Sequence, residues 1–165
     1  MNLEQHWNTK MSAEPATKID YSEYISRVEN YLLWTQGVHV HYEKGQQTAL
    51  YSEGHGITDD DFIIIDKSKR KEWQLYALLH EAGHVILRKN RKDHKKSFPM
   101  SEHKTNTIGK RVDVIREEVM AWERAKRLSV ELQIYIHTEK WNKQRTKSLM
   151  EYVKWAYNPK EYKVD

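Results

Sequence analysis

The sequence predicts an α+β fold, a compact single domain in which a small sheet packs on a central helix with additional helices around it. A chain of 165 residues is long enough to bury one hydrophobic core. Two short segments, 38–42 and 61–66, have the alternation or the β-branched content of strands. Several longer segments repeat apolar residues every three or four positions, as amphipathic helices do.

Composition separates a folded domain from two tails. Residues 1–18 are polar and include Pro15, so we expect a flexible N-terminal tail there. The domain is expected to cover residues 19–158. Pro159 disfavours helical backbone at the residue before it, so residues 159–165 are expected to form a C-terminal tail.

The first part of the domain is predicted to contain one helix and two strands. Asp20 is a good N-cap for a helix that runs to about Thr35. Residues 38–42 alternate between apolar and polar side chains, which is typical of a half-buried strand. After a turn at Lys44-Gly45, residues 47–52 are expected to pair with that strand.

The middle of the chain is predicted to hold a buried strand and two long helices. Residues 61–66 contain three consecutive isoleucines, which indicates a strand buried on both faces. Ser68 is expected to cap an apolar helix over about 73–87. Residues 89–110 are lysine-rich and aperiodic, so we expect a long basic loop there before an amphipathic helix over 112–128.

The end of the domain is predicted to be helical. Residues 132–136 read as a short connector after the amphipathic helix. Thr138 can then cap a final helix that reaches about Tyr157.

The apolar helix carries a motif with a specific chemistry, His80-Glu81-Ala82-Gly83-His84. Residues four apart lie on the same face of a helix, so the two imidazoles can bind one divalent ion, and this spacing suits Zn²⁺ best. Glu81 follows the first ligand and is placed to take a proton from water. This is the arrangement of the H-E-x-x-H zinc peptidases, which makes Glu81 the candidate general base.

A catalytic zinc needs a third protein ligand, for which we choose Glu118. Glu118 lies in helical phase with Ala121 and Ala125, and small side chains mark the face on which two helices approach closely. Glu117 is turned by about 100° around the axis and is expected to face outward or to support a ligand from behind. Two histidines of the basic segment, His94 and His103, are weaker alternatives as the third ligand, and both glutamates could instead be solvated.

With these residues the chain resembles the gluzincin class of zinc peptidases, and most of all the small ImmA/IrrE-like metallopeptidases of bacteria, phages and mobile elements. The matching residues are His80, Glu81, His84, Glu118, Ala121 and Ala125. The resemblance implies a short sheet with an edge strand beside the metal helix, and some members of the family cleave transcriptional repressors. Trp122 is a departure, because such helices often carry an acidic or amide residue at this position.

The expected function is therefore zinc-dependent hydrolysis of peptide bonds in a protein or peptide substrate, with a regulatory protein as one candidate substrate. Tyr135 and His137, which follow the third-ligand helix, are candidate donors to the oxyanion that develops. The alternative is a non-catalytic module in which zinc stabilises the fold and basic segments contact nucleic acid or an acidic protein. A nucleic-acid partner is the less favoured expectation.

The composition of the chain favours some cellular compartments over others. The chain has no cysteine, so neither a disulfide framework nor a thiolate metal site is expected. No signal-like core and no membrane-spanning run is visible in the sequence, which favours a cytoplasmic protein without a membrane partner. If a phage or mobile element encodes it, the compartment is the host cytoplasm. The sequence leaves the oligomeric state open.

Overall fold

The computed structural model describes residues 19–46, 48–51 and 61–163, so the tail predicted for residues 1–18 lies outside the described residues. Within these ranges the chain forms five α-helices and three strands. In chain order they are α1 (Tyr21–Tyr31), β1 (His39–Glu43), β2 (Ala49–Tyr51), β3 (Phe62–Asp66), α2 (Lys71–Arg88), α3 (Arg91–Ser97), α4 (Ile108–Glu131) and α5 (Thr138–Tyr157). The predicted α+β class is confirmed.

The three strands form one sheet in the order β1-β3-β2. β3 is parallel to β1 and antiparallel to β2. The prediction that residues 47–52 pair with the first strand is therefore wrong, because β3 lies between them. The three isoleucines of β3 are buried, and this apolar strand takes the central place, where it has partners on both edges. The half-buried β1 is at one edge of the sheet.

Asp20 begins α1 as predicted. Its carboxylate accepts hydrogen bonds from the backbone N–H groups of Ser22 and Glu23, which satisfies two donors that the first turn leaves free. A π-helical turn, Leu32–Gln36, extends the helix, and Gly37 ends it with a φ of 74°. Glycine adopts this left-handed conformation without steric cost. The chain can then turn directly into β1.

Helix α2 is the centre of the domain. Every residue from Gln74 to Val85 is buried, and the helix packs against α1, α4, β3 and β2. Each large apolar side chain of this stretch contributes about 1.5–3 kcal/mol on burial. The expected cap at Ser68 is wrong: the helix begins at Lys71, and the Ser68 hydroxyl instead donates to Asp66 at 2.7 Å.

The predicted loop over residues 89–110 contains a short helix, α3. Asn90 caps it by accepting from the N–H groups of Lys92 and Asp93. One side of α3 buries His94, and the exposed side carries its lysines. Seven residues are too few for hydrophobic periodicity to reveal a helix, so the lysine-rich composition pointed to a loop.

Helices α2 and α4 approach each other closely at Gly83. A Cβ added at Gly83 would overlap the carbonyl oxygen of Ala121 and lie 2.9 Å from its carbonyl carbon. Ala121 and Ala125 are fully buried, as their helical phase predicted. The two helices therefore meet along their small residues.

Helix α5 is anchored across this pair by a polar and an aromatic contact. The Glu72 carboxylate of α2 accepts from the Tyr21 hydroxyl at 2.7 Å and from the Lys140 ammonium at 2.9 Å, which joins α1, α2 and α5. Trp141 is buried and contacts both Tyr76 and Trp122 edge to face. The helix ends at Tyr157. The predicted C-terminal tail begins with a turn in which the N–H of Glu161 donates to the Asn158 carbonyl.

Among the residues described, no helix is long and apolar enough to cross a membrane. The longest helix, α4, has one buried face and exposed charges opposite it.

The close approach at Gly83 leads to a testable prediction. Gly83→Ala should lower the free energy of unfolding by about 1–3 kcal/mol, because its methyl group must push α2 away from the α4 backbone. This loss is expected although Ala is about 1 kcal/mol more favourable than Gly within a helix. Chemical denaturation followed by circular dichroism measures it.

Gly109→Ala is the matched control, since Gly109 is also helical. A Cβ there would lie 3.5 Å from the flexible Met100 side chain, which is an ordinary contact. This variant should keep or slightly increase the free energy of unfolding. Equal effects of the two substitutions would mean that the contact between α2 and α4 is looser than described.

Candidate metal centre

Two histidines of α2 and one glutamate of α4 meet in the interior. Glu118 Oε2 lies 3.2 Å from His80 Nε2, and Glu118 Oε1 lies 3.2 Å from His84 Nε2. One ligand atom from each residue can be chosen so that all lie within 4.8 Å of one another. This buried group can hold a metal ion.

The local sequence explains why these three side chains converge. His80 and His84 are one helical turn apart, and their rings contact each other edge to face with centroids 4.8 Å apart. Glu118 is three residues before Ala121, so it lies on the face of α4 that contacts Gly83. The predicted helical phase of Glu118 is confirmed.

Within the cluster, Glu118 is held ionised and His84 is held protonated. Burial disfavours the charged imidazole of His84, but the charge of Glu118 and hydrogen bonds to Glu117 and Glu118 outweigh it and raise the pKa of His84 to about 10. Burial also acts to raise the pKa of Glu118. The charge of His84 and the hydrogen bond from His80 nevertheless hold that pKa well below its usual range. The carboxylate thus keeps its negative charge in the interior, where the protonated His84 balances it. A divalent ion bound here would replace the His84 proton, because a histidine binds a metal through its neutral imidazole.

Glu81 is buried beside the cluster. Its interactions with His80, His84 and Glu118 are electrostatic, and it is not one of the three residues that can share an ion. Burial raises the pKa of Glu81, although the charges of the two histidines act to lower it. A carboxylate whose pKa is raised toward neutrality is suited to accepting and returning a proton.

The ring nitrogen of His84 that points away from Glu118 contacts a second carboxylate, that of Glu117. His84 Nδ1 lies 3.3 Å from Glu117 Oε1, and the Arg88 guanidinium donates to the same oxygen at 2.8 Å. His94 Nε2 lies 3.2 Å from Glu117 Oε2. Burial acts to raise the pKa of Glu117, but the contacts with His84 and His94 and the charge of Arg88 hold it well below its usual range. Glu117 was expected either to face outward or to support a metal ligand from behind. In the structure it lies behind the candidate ligand His84.

The outer side of His80 contacts an aromatic ring. Trp122 stacks on His80 with ring centroids 4.4 Å apart and an interplanar angle of 22°. His80 Nδ1 is buried and has no hydrogen-bond partner among the described residues. The two candidate histidine ligands are therefore held by different interactions.

Tyr152 of α5 is a site residue that the sequence reasoning did not identify. Burial, the charges of Glu118 and Glu81, and a hydrogen bond to Glu118 raise the pKa of Tyr152 well above its usual range. The hydroxyl thus stays protonated near neutral pH and is available as a donor. Tyr152 lies three residues after the half-buried Leu149, on the side of α5 that faces the core, and this phase is the sequence signal that could have found it.

The two residues predicted as oxyanion stabilisers have contacts near the first half of α2. Tyr135 interacts electrostatically with Tyr21, whose hydroxyl donates to Glu72 in the first turn of α2. The backbone N–H of His137 donates to the Tyr76 hydroxyl at 3.1 Å, one turn before His80. Tyr152 is therefore a further candidate for the donor next to the cluster, beside Tyr135 and His137.

The two histidines considered as alternative third ligands, His94 and His103, lie outside the cluster of His80, His84 and Glu118. His103 is exposed, and its Nδ1 accepts from the backbone N–H of Thr105. His94 reaches Glu117 and does not belong to the group that can share an ion. Neither alternative third ligand replaces Glu118.

No family model, curated protein or solved structure matches the chain. The resemblance to gluzincin peptidases therefore depends on the individual residues of the motif and on their arrangement. His80, Glu81, His84 and Glu118 follow that pattern, and Trp122 departs from it.

The geometry predicts one bound metal ion per chain. Purified protein should hold about one equivalent, since one three-residue site is identifiable. His80→Ala, His84→Ala and Glu118→Gln should each remove most of it, because two remaining ligands bind a divalent ion far more weakly than three. Elemental analysis of dialysed protein measures the content.

His41→Ala is the control variant, because His41 is exposed on β1 and belongs to no ligand cluster among the described residues. It should leave the metal content unchanged. A full equivalent of metal in a His80→Ala/His84→Ala double variant would refute the assignment of the site.

Proposed function

We propose that the chain is a zinc-dependent endopeptidase that hydrolyses peptide bonds of a protein substrate. The observation that carries this proposal is the location of Glu81 beside a buried cluster of His80, His84 and Glu118. Three protein ligands leave one coordination position open, which is the pattern of catalytic rather than structural zinc sites.

The donor set supports zinc as the metal. Two imidazole nitrogens and one carboxylate oxygen match the His₂Glu ligand set of zinc peptidases, whereas Mg²⁺ and Ca²⁺ prefer oxygen ligands alone. The chain has no cysteine that could complete a structural site with a thiolate. When bound, a zinc ion supplies Lewis acidity, which polarises the peptide carbonyl and lowers the pKa of water.

Glu81 is assigned the proton transfers of the reaction. Its carboxylate accepts the proton of the attacking water and later delivers it to the amine that leaves when the peptide C–N bond breaks. The burial that raises the pKa of Glu81 suits both steps. The same residue thus acts first as a base and then as an acid.

Tyr152 is assigned the stabilisation of the developing oxyanion. Its hydroxyl interacts with Glu118 by a hydrogen bond, and the charge of Glu81 also acts on it. A donor aimed at the charge that develops in the transition state accelerates acyl transfer. The rigid attachment of α5 through Trp141 holds the hydroxyl in place.

The sheet suggests how a substrate binds. β2 pairs with β3 on one side and lies at the end of the described sheet, and α2 packs against both strands. An extended peptide that adds to the other side of β2 would gain main-chain hydrogen bonds beside the metal helix. Such binding imposes little sequence restriction and suits a protein substrate with an exposed segment.

The alternative function is a binding module in which zinc has only a structural role. The observation in its favour is the exposed side of α3, where Arg91, Lys92, Lys95 and Lys96 offer a basic surface to nucleic acid or an acidic protein. Either function is compatible with a cytoplasmic location, which we also propose. The role of Glu81 distinguishes the two functions.

Glu81→Gln should keep zinc and fold but abolish peptide hydrolysis. Gln is nearly the same size as Glu but cannot act as a base near neutral pH, so the rate should fall at least about 10²-fold. Wild type and variant are compared at equal zinc content, with cleavage of an unstructured protein such as casein as the assay. A structural zinc site has no need of Glu81, so undiminished activity in Glu81→Gln would refute the peptidase proposal.

Tyr152→Phe should lower kcat by about 10²–10³-fold and change KM little, because the hydroxyl is proposed to bind the oxyanion and not the ground state. Tyr157→Phe is the control, since Tyr157 is on the same helix and 87% exposed. It should have wild-type activity. If Tyr152→Phe also retains wild-type kcat at equal zinc content, the oxyanion donor must be sought elsewhere, with Tyr135 and His137 as the next candidates.

A further inference from the structure

The two candidate histidine ligands are supported unequally. The His80 ring stacks on Trp122, and its Nδ1 has no hydrogen-bond partner among the described residues. His84 Nδ1 contacts a carboxylate, Glu117, at 3.3 Å. A hydrogen bond to the outer nitrogen of a metal-binding histidine fixes its tautomer and the orientation of its ring. In this chain only His84 has that kind of support from a described side chain.

Glu117 is itself held from two directions. Arg88 Nε donates to the same oxygen that faces His84, at 2.8 Å. His94 Nε2 lies 3.2 Å from the other oxygen, which is within ion-pair distance but lacks hydrogen-bond geometry. His94 belongs to α3, which the short connection at residues 89–90 joins to α2. Glu117, His84 and His94 are buried to 95%, 95% and 94% respectively, so water competes little for these contacts.

We infer that Glu117 is a positioning residue that orients His84 for metal binding. Glu117 is held in place by the hydrogen bond from Arg88 and the ion-pair contact with His94. The inference rests on the proposed metal centre and adds a role for two residues outside it. It makes α3 a structural part of that centre, because α3 supplies His94. The acidic residue that such sites often carry next to the first Ala is replaced by Trp122, and support by a carboxylate is found at the second histidine instead.

The alternative is that these residues merely fill the interior between α2, α3 and α4. His94 contacts Phe98 with ring centroids 5.1 Å apart, so packing is a realistic competing role. The two roles differ in what they require at position 94. Packing requires a ring, whereas positioning requires an N–H that reaches Glu117.

A pair of substitutions at His94 separates these roles. His94→Phe keeps a ring and removes the N–H, and His94→Gln removes the ring but places an amide N–H close to the location of Nε2. Zinc affinity, measured by competition with a chromophoric chelator, should fall about tenfold in His94→Phe and stay close to wild type in His94→Gln. The opposite order, or equal affinities in both variants, would overturn the inference.

Glu117→Gln tests the central residue. It removes the charge that Arg88 and the histidines share, and zinc affinity should fall about 10–100-fold. Asp113→Asn is the matched control, because Asp113 is on the same helix, is equally buried and also holds an arginine, Arg116. Asp113 additionally accepts the Met100 N–H in the turn after α3, so this control reports any general effect of loosening that segment.

The outcomes for the inference and for the proposed function are distinct. Wild-type affinity in Glu117→Gln, or an equal loss in Asp113→Asn, overturns the positioning role and leaves the metal centre intact. A wild-type protein that binds no zinc overturns the proposed function and the inference with it. A loss in Glu117→Gln and His94→Phe, with wild-type affinity in Asp113→Asn and His94→Gln, supports the inference.

Discussion

The close contact between α2 and α4 at Gly83 is the constraint on which the rest of the structure depends. The Ala121 carbonyl occupies the space that a side chain at residue 83 would need, so the two helix backbones come closer than ordinary side chains allow. Glu118, one turn before Ala121, is thereby brought within 3.2 Å of both imidazoles. A wider separation would move the buried Glu118 carboxylate away from both imidazoles and leave its charge poorly compensated, which is costly. Packing and chemistry therefore depend on the same small residues.

The polar cluster of His80, His84 and Glu118 is surrounded by packed helices. α2 is buried over Gln74–Val85, and a helix surrounded on all sides cannot easily rotate or shift. α5 is tied to it by the Glu72 carboxylate and by Trp141, and the same helix carries Tyr152 to the cluster. The contacts that hold the helices together thus also place the side chains that we propose to act in catalysis.

Trp122 takes a place where an acidic or amide residue was expected, and it packs on His80 instead of accepting a hydrogen bond from it. A tryptophan cannot accept a hydrogen bond from His80, but its ring stacks on the imidazole and also contacts Trp141 edge to face. Support by a carboxylate is found at His84, through Glu117, Arg88 and His94. The arrangement explains why α3 and the segment that contains it are folded against α2 although their composition is lysine-rich.

The sequence by itself determined the central helix, the His80 and His84 pair, Glu81 beside it and the phase of Glu118, because these features depend on helical periodicity within one or two segments. It also determined the α+β class and the buried character of β3. Only the tertiary structure decided that β3 separates β1 from β2, that α3 exists, and that Tyr152 and His94 reach the site. The strand order and α3 depend on contacts between segments distant in the chain or on a helix of seven residues, and local periodicity carries no information about either. The helical phase of Tyr152 indicates that it faces the core, but not that it reaches Glu118.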